Sequence, residues 1–205
     1  MAGEPVLPTF CTSGSNILMS VVDFMHQSVV KTVWNGDRIR TTFGNRNVSQ
    51  ILADGDVMAF GPCPDRTLVA CAIMNHHGIR PTVVYHERRV PGFIPSTAHI
   101  AMEIRVDGQD YMMDFGSRET RLVEGPYYFS KEVEETIALK RFNFWDMGVD
   151  VMTVTPNQLF STVATDRIHI DQKYAYYEKQ AEKYSTKILE DRLALDKAHS
   201  VYNEL

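Results

Sequence analysis

Three residue types that together can run thiol chemistry recur in this chain where local structure would aim them. Cys63 follows Gly61-Pro62 and opens the run CPDRTLVACAIMNHH, which stops at Gly78. Pro64 near the start and Gly just past the end are helix punctuation, so the spacing predicts a helix with Cys63 at its N-terminus. The unpaired N–H groups and the positive end of the helix dipole favour an anion there, which biases a thiol toward the nucleophilic thiolate. Downstream, AHIAMEIRV and QDYMMDF flank Asp107-Gly108, the dipeptide preferred by a tight type I′ turn. A two-residue turn pairs Val106 with Gln109 and so fixes every later rung: Ile104 with Tyr111, Met102 with Met113, Ile100 with Phe115. That apolar face reads as core. On the other face Ala101 is expected opposite Asp114 and His99 opposite Gly116, which makes His99 and Asp114 diagonal neighbours, with Cβ atoms about 7 Å apart. Cys63, His99 and Asp114 then supply a nucleophile, a base and an orienter for that base, the logic of thiol acyl transfer.

Other residues invite chemistry and carry weaker arguments. Cys63, Cys71, His76 and His77 could be imagined as a zinc site, but their spacing is not that of structural zinc sites, and the histidines in the last turn complement the helix dipole. No metal is expected. Cys71, mid-helix, reads as a small buried hydrophobe. An oxyanion hole needs donors beyond the Cys63 N–H; Trp34, Asn45, Asn47 and Gln50 lie upstream, and spacing does not choose among them. The segment RRVPGFIPSTA leads into His99 and holds two prolines and a glycine. A loop of that length is often a lid or specificity loop, which makes Arg88, Arg89 and Phe93 the substrate-contact candidates.

With these residues in place, the chain resembles the transglutaminase-like cysteine-enzyme superfamily. The resemblance rests on G-P-C at a helix start, H-G-I-R-P-T-V-V after that helix, a strand-borne His and a following Asp, with ILADGDVMAFGPC as the lead-in. It covers residues 14 to 116 and fades after Gly116. It implies an α+β, papain-like or transglutaminase-like fold: a nucleophile helix packed on an antiparallel sheet. It also implies acyl transfer from an amide or ester by a Cys63-His99-Asp114 triad, with no cofactor. Members include transglutaminases, peptidases, amidases, peptide N-glycanases and arylamine acyltransferases, so membership leaves the substrate and the choice of water or amine as acceptor open. The alternative is a catalytically silent binding protein that uses the same cleft and the C-terminal helix to bind a partner.

The surrounding elements must position these groups. Residues 15 to 31 carry apolar side chains at helical intervals, with Ser15 or Asn16 as cap; Trp34 to Asn47 reads as a turn-rich connection; a short helix begins near Asn47 or Ser49. IRPTVVYHE reads as a strand near a sheet edge because of Pro81. After the hairpin, SKEVEETIALK reads as a helix, VDVMTV as a strand and TPNQLFSTVA as a helix capped by Thr155. The chain of 205 residues suits one catalytic domain, residues 1–170, with a helical extension over residues 171–205. Charged residues at 23% and hydrophobic ones at 44% suit a soluble protein, and a net charge of −5 gives no general attraction to nucleic acid or anionic membrane. No signal-peptide pattern or apolar membrane span is read, and three cysteines without C-x-x-C spacing argue against a disulfide framework. A cytosolic location is expected. From Asp171 to Leu205 no Pro or Gly interrupts a charged segment, one long helix with the seam Tyr174, Tyr177, Ala181, Tyr184, Ile188, Leu195, Ala198, Tyr202 and Leu205, broken at Asp191. The seam is expected to form a homodimer or to lie back along its own domain.

Overall fold

A computed structural model describes residues 6–88, 97–116, 120–125, 136–163, 178–179 and 181–183. Within them the chain is mixed α and β, with a five-stranded antiparallel sheet, a two-stranded parallel ribbon and five helices. The large sheet comprises β3 (Thr82–Arg88), β4 (Thr97–Val106), β5 (Gln109–Phe115), β6 (Thr120–Glu124) and β7 (Thr136–Phe142), in the order β6-β5-β4-β3-β7. The ribbon pairs β1 (Val30–Thr32) with β2 (Asp56–Met58). The helices are α1 (Asn16–Ser28), α2 (Gly36–Thr42), α3 (Val48–Asp54), α4 (Cys63–His76) and α5 (Pro156–Val163).

Helix α4 is buried on every side from Pro64 to Met74, as a helix with no polar face must be. It lies between α1, α3 and the apolar face of the sheet, where Ile100, Met102, Ile104, Met113 and Phe115 join one core with Leu68, Val69, Ala72 and Ile73. Two charges inside this helix have their own partners. Arg66 donates through Nε to the carbonyl of Val29 at 3.0 Å and through a terminal nitrogen to that of Met25 at 3.2 Å. It thereby caps the C-terminus of α1, whose last carbonyls have no partner within the helix. This ends α1 at Ser28, three residues before the expected limit, and frees Val30–Thr32 to become a strand that periodicity did not show.

The β4–β5 hairpin has the expected turn and register. Asp107 and Gly108 have φ of 51° and 79°, and the rungs run Val106–Gln109, Ile104–Tyr111 and Met102–Met113. There the ladder stops. The rungs expected for Ile100, Ala101 and His99 with β5 are not formed; over that stretch β4 stays paired with β3, His86 opposite His99, while β5 stays paired with β6, Asp114 opposite Arg121. The sheet therefore opens between β4 and β5 next to the residues of interest.

Several expectations fail for identifiable reasons. Residues 36–42 form α2, not a loop, because the Asn35 side chain accepts from the Arg38 N–H and caps it. Strand β3 lies next to the edge strand β7 but is paired on both sides: Pro81 precedes the first paired residue, so its missing N–H costs no ladder bond. Residues 136–142 are strand β7 in place of the second half of an expected helix, since pairing with the free side of β3 outweighs local helix propensity; residues 130–135 of that helix lie outside the described residues. VDVMTV is a turn, not a strand, because the Asp150 carboxylate accepts from the Met152 N–H while its carbonyl accepts from Val154 N–H. Helix α5 forms as expected, and Thr155 and Gln158 bond reciprocally at its start. The long C-terminal helix lies outside the described residues except at 178–179 and 181–183, which are helical. There Glu178 pairs with Arg40, and Ala181, a seam residue, is buried against Trp34, Ile39, Phe43 and Met58 of its own chain. Among the described residues no helix is long and apolar enough to cross a membrane.

The turn carries the register, so Gly108→Val, which forces a β-branched residue to φ near 79°, should cost roughly 1–2 kcal/mol. A urea midpoint unchanged from the parent would contradict this account of the hairpin.

Candidate active site

Cys63 reaches its position through the β1–β2 ribbon. The left-handed Gly55, at φ 68°, ends α3 and turns the chain into β2. Ala59 N–H bonds the Thr32 carbonyl at 2.9 Å, Gly61 N–H closes a turn onto Met58, and the chain enters α4 at Cys63. Cys71, two turns on, directs its thiol at the Met102 sulfur, 3.4 Å away, on the last β4–β5 rung. Two turns rise about 11 Å, so Cys63 sits at the far end of the helix from that contact, where the two strands have parted. It is half-buried.

His99 and Asp114 stand on either side of the opening. The His99 Nε2 and Asp114 Oδ1 are 2.8 Å apart, with 29% and 16% of the two side chains exposed. Cys63 lies close enough to the imidazole to act on its charge. Burial opposes a charge on the ring, but the electrostatic pull of Cys63 and of the Asp114 carboxylate that accepts from the ring outweighs it and pushes His99 up to about 10. At neutral pH the ring is an imidazolium. Cys71, by contrast, is wholly buried, and desolvation pushes its thiol far up.

A buried ionic cluster supports the first turn of α4. Arg46, 5% exposed, holds Asp65 Oδ2 and Asp54 Oδ2, each at 2.7 Å, and the Asp56 carbonyl at 3.0 Å, with its guanidinium 4.7 Å from the centre of the Trp34 ring. Burial raises Asp65 to about 6 against the pull of Arg46. Asp56 accepts from Thr32, Trp34 and Arg38, and although burial opposes it these bonds hold its carboxyl below the usual range. Asp65 is two residues from the thiol, so this cluster ties α4 to α3 and β2 at the site. The sequence offered no periodic signal for it, because its members come from four separate segments.

The four upstream oxyanion candidates are engaged elsewhere. The Trp34 indole N–H donates to Thr32 and Asp56; Asn47 and Gln50 form the capping box of α3; Asn45 bonds the Thr41 carbonyl and Asn157. Lys31, which sequence reasoning passed over, donates through Nζ to the Gly116 carbonyl at 2.7 Å and feels the charges of Cys63 and Asp114. A lysine in a short strand assigned to a helix carried no signal. The imagined zinc ligands are dispersed: His76 bonds Thr9, while His77 bonds the backbone of Pro8 and Phe10 and stacks on the Phe10 ring. Strand β3 ends at Arg88; its side chain, with Arg89 and Phe93, lies outside the described residues. Comparison with protein-family models, with curated proteins and with solved structures finds no match to this chain.

His99 owes its raised affinity for a proton more to Cys63 than to Asp114. In NMR titrations its ring should therefore hold the proton to about pH 10 in the native protein. Its midpoint should fall in Asp114→Asn and fall further in Cys63→Ala. A midpoint near the ordinary histidine value in the native protein would contradict the assignment.

Proposed function

We propose that the chain is a thiol-dependent acyl-transfer enzyme with a transglutaminase-like, papain-like arrangement of Cys63, His99 and Asp114. The observation that carries this reading is an imidazole bonded to a carboxylate at 2.8 Å and acted on by the charge of a cysteine at a helix N-terminus. The Cys63 thiolate attacks the carbonyl carbon of an amide or ester. The carbonyl oxygen takes the negative charge and is met by the Cys63 N–H, one of the helix N–H groups without an intrahelical acceptor. The tetrahedral adduct collapses, the C–N or C–O bond breaks, and the His99 imidazolium gives its proton to the leaving group. The now neutral imidazole takes a proton from water or from an amine as that acceptor attacks the thioester, and the thiolate is released. Asp114 keeps the ring oriented throughout.

Water as acceptor makes the enzyme a peptidase or amidase, and an amine makes it a transglutaminase or acyltransferase. The substrate on this reading is a peptide, a protein or a small amide or ester. The reaction as written needs no metal or organic cofactor. A reducing cytosol suits the reading, since the nucleophile must remain a free thiol.

Iodoacetamide should alkylate Cys63 far faster than the buried Cys71. It should also keep doing so at a mildly acidic pH where the exposed Cys11 slows, because the imidazolium holds the thiolate. His99→Ala should remove that advantage, roughly tenfold or more at pH 6. In parallel, a panel of acyl donors should leave one acyl group on Cys63 by intact mass. A Cys63 that reacts no faster than Cys11 at any pH and traps no acyl group would overturn the proposal.

A further inference from the structure

The site stands between two pieces of structure that the chain builds separately. The β1–β2 ribbon leads into Cys63, and the β4–β5 hairpin delivers His99 and Asp114. Among the described residues, Lys31 spans them. It sits mid-ribbon, in register with Val57 of β2, and its Nζ lies 2.7 Å from the carbonyl of Gly116, two residues beyond Asp114. That carbonyl follows the point where β4 and β5 stop pairing, so a side chain takes the place of a strand as its donor. The ammonium is half-buried and feels Cys63 and Asp114 as attractive charges.

We infer that Lys31 is a positioning residue for the proposed reaction: it fixes the Asp114 end of β5 to the ribbon that delivers Cys63 and lends the thiolate a second positive charge beside the His99 imidazolium. This rests on the thiol-enzyme reading above and deepens it. The electrostatic part has a definite sign. A cation near a thiol favours the thiolate, so its loss raises the pH at which the thiolate forms. Among the described residues, His99 and Asp114 from the sheet and Arg66 on α4 are charged groups near this pair; Arg66 acts on Lys31 in the repulsive sense. Burial and Arg66 draw Lys31 below the ordinary lysine range, while Cys63 and Asp114 pull it back. Asp65 is turned away from the site toward Arg46. The chain thus surrounds the nucleophile with charges from three elements, and Lys31 comes from the one that sequence periodicity had assigned to a helix.

A structural clamp and an electrostatic one are separable. Lys31→Gln keeps a neutral N–H donor, one atom shorter, and removes the charge, whereas Lys31→Arg keeps both donor and charge. The readout is the pH dependence of Cys63 alkylation by iodoacetamide in the full chain, with circular dichroism as the check of folding. In Lys31→Gln the acid limb should move to higher pH by about one unit, and Lys31→Arg should restore it. If Lys31→Gln does not fold, the native protein still decides: the Lys31 amine, followed by NMR, should shift its titration when Cys63 is replaced by Ala. An acid limb in Lys31→Gln that coincides with the native one, or a Lys31 titration indifferent to Cys63→Ala, overturns the inference and leaves the thiol-enzyme reading intact. A native Cys63 with no enhanced reactivity overturns that reading instead.

Discussion

The arrangement around Cys63 depends on one constraint, the two-residue turn at Asp107-Gly108. Both residues take positive φ, which matches the twist of the flanking strands and permits no slip. A shift of one residue would exchange the faces of β5, sending Met113 and Phe115 out of the core and Asp114 into it. Burying an unpaired carboxylate costs several kcal/mol or forces its protonation, and exposing Met113 and Phe115 would forfeit roughly 2 kcal/mol or more each. The hydrophobic core and the His99–Asp114 bond are thus satisfied by the same register. What the core does not explain is the end of pairing at Met102–Met113. Beyond that rung each strand keeps only its outer neighbour, and the gap is bridged by side chains, His99 to Asp114 across it and Lys31 to the Gly116 carbonyl behind it.

Beneath the nucleophile the protein uses buried charge in place of packing. Arg46 binds Asp54, Asp65 and the Asp56 backbone through its two terminal nitrogens and lies over Trp34, while Arg66 caps α1 through carbonyls. Such groups add little net stability over a well-packed apolar alternative. They do fix direction, since a guanidinium fork accepts partners only in its own plane. Both arginines act on the first turn of α4 or the ribbon beside it, the two places where a displacement would move Cys63 relative to His99.

How far the sequence could be read follows from which interactions are local. The α4 boundaries, the Asn47 and Thr155 caps and the hairpin register are decided within a few residues of chain, and each was legible. Residues 136–142 were not, because the unpaired side of β3 selects a strand where local composition favours a helix. The α2 cap at Asn35 is a local signal as well, since an Asn ahead of Gly-Asp-Arg can start a helix, but the same residues also suit a turn. Lys31 and the Arg46 cluster are products of tertiary contact alone. They lie far in sequence from what they touch, and no spacing within one segment points to them. The C-terminal seam shows the converse: its apolar stripe implied a partner surface, and at Ala181 that surface is the chain's own Trp34 cluster.

The central claim is that Asp114 acts on Cys63 through His99, and a double-mutant cycle measures that coupling directly. Alkylation rates of Cys63 at pH 6 would be compared in the native protein, Asp114→Asn, His99→Gln and the double variant, each checked for folding. The account predicts that Asp114→Asn slows Cys63 markedly in the native background and hardly at all once His99 is Gln. Equal slowing in both backgrounds would mean that the carboxylate and the imidazole act independently, and would contradict it.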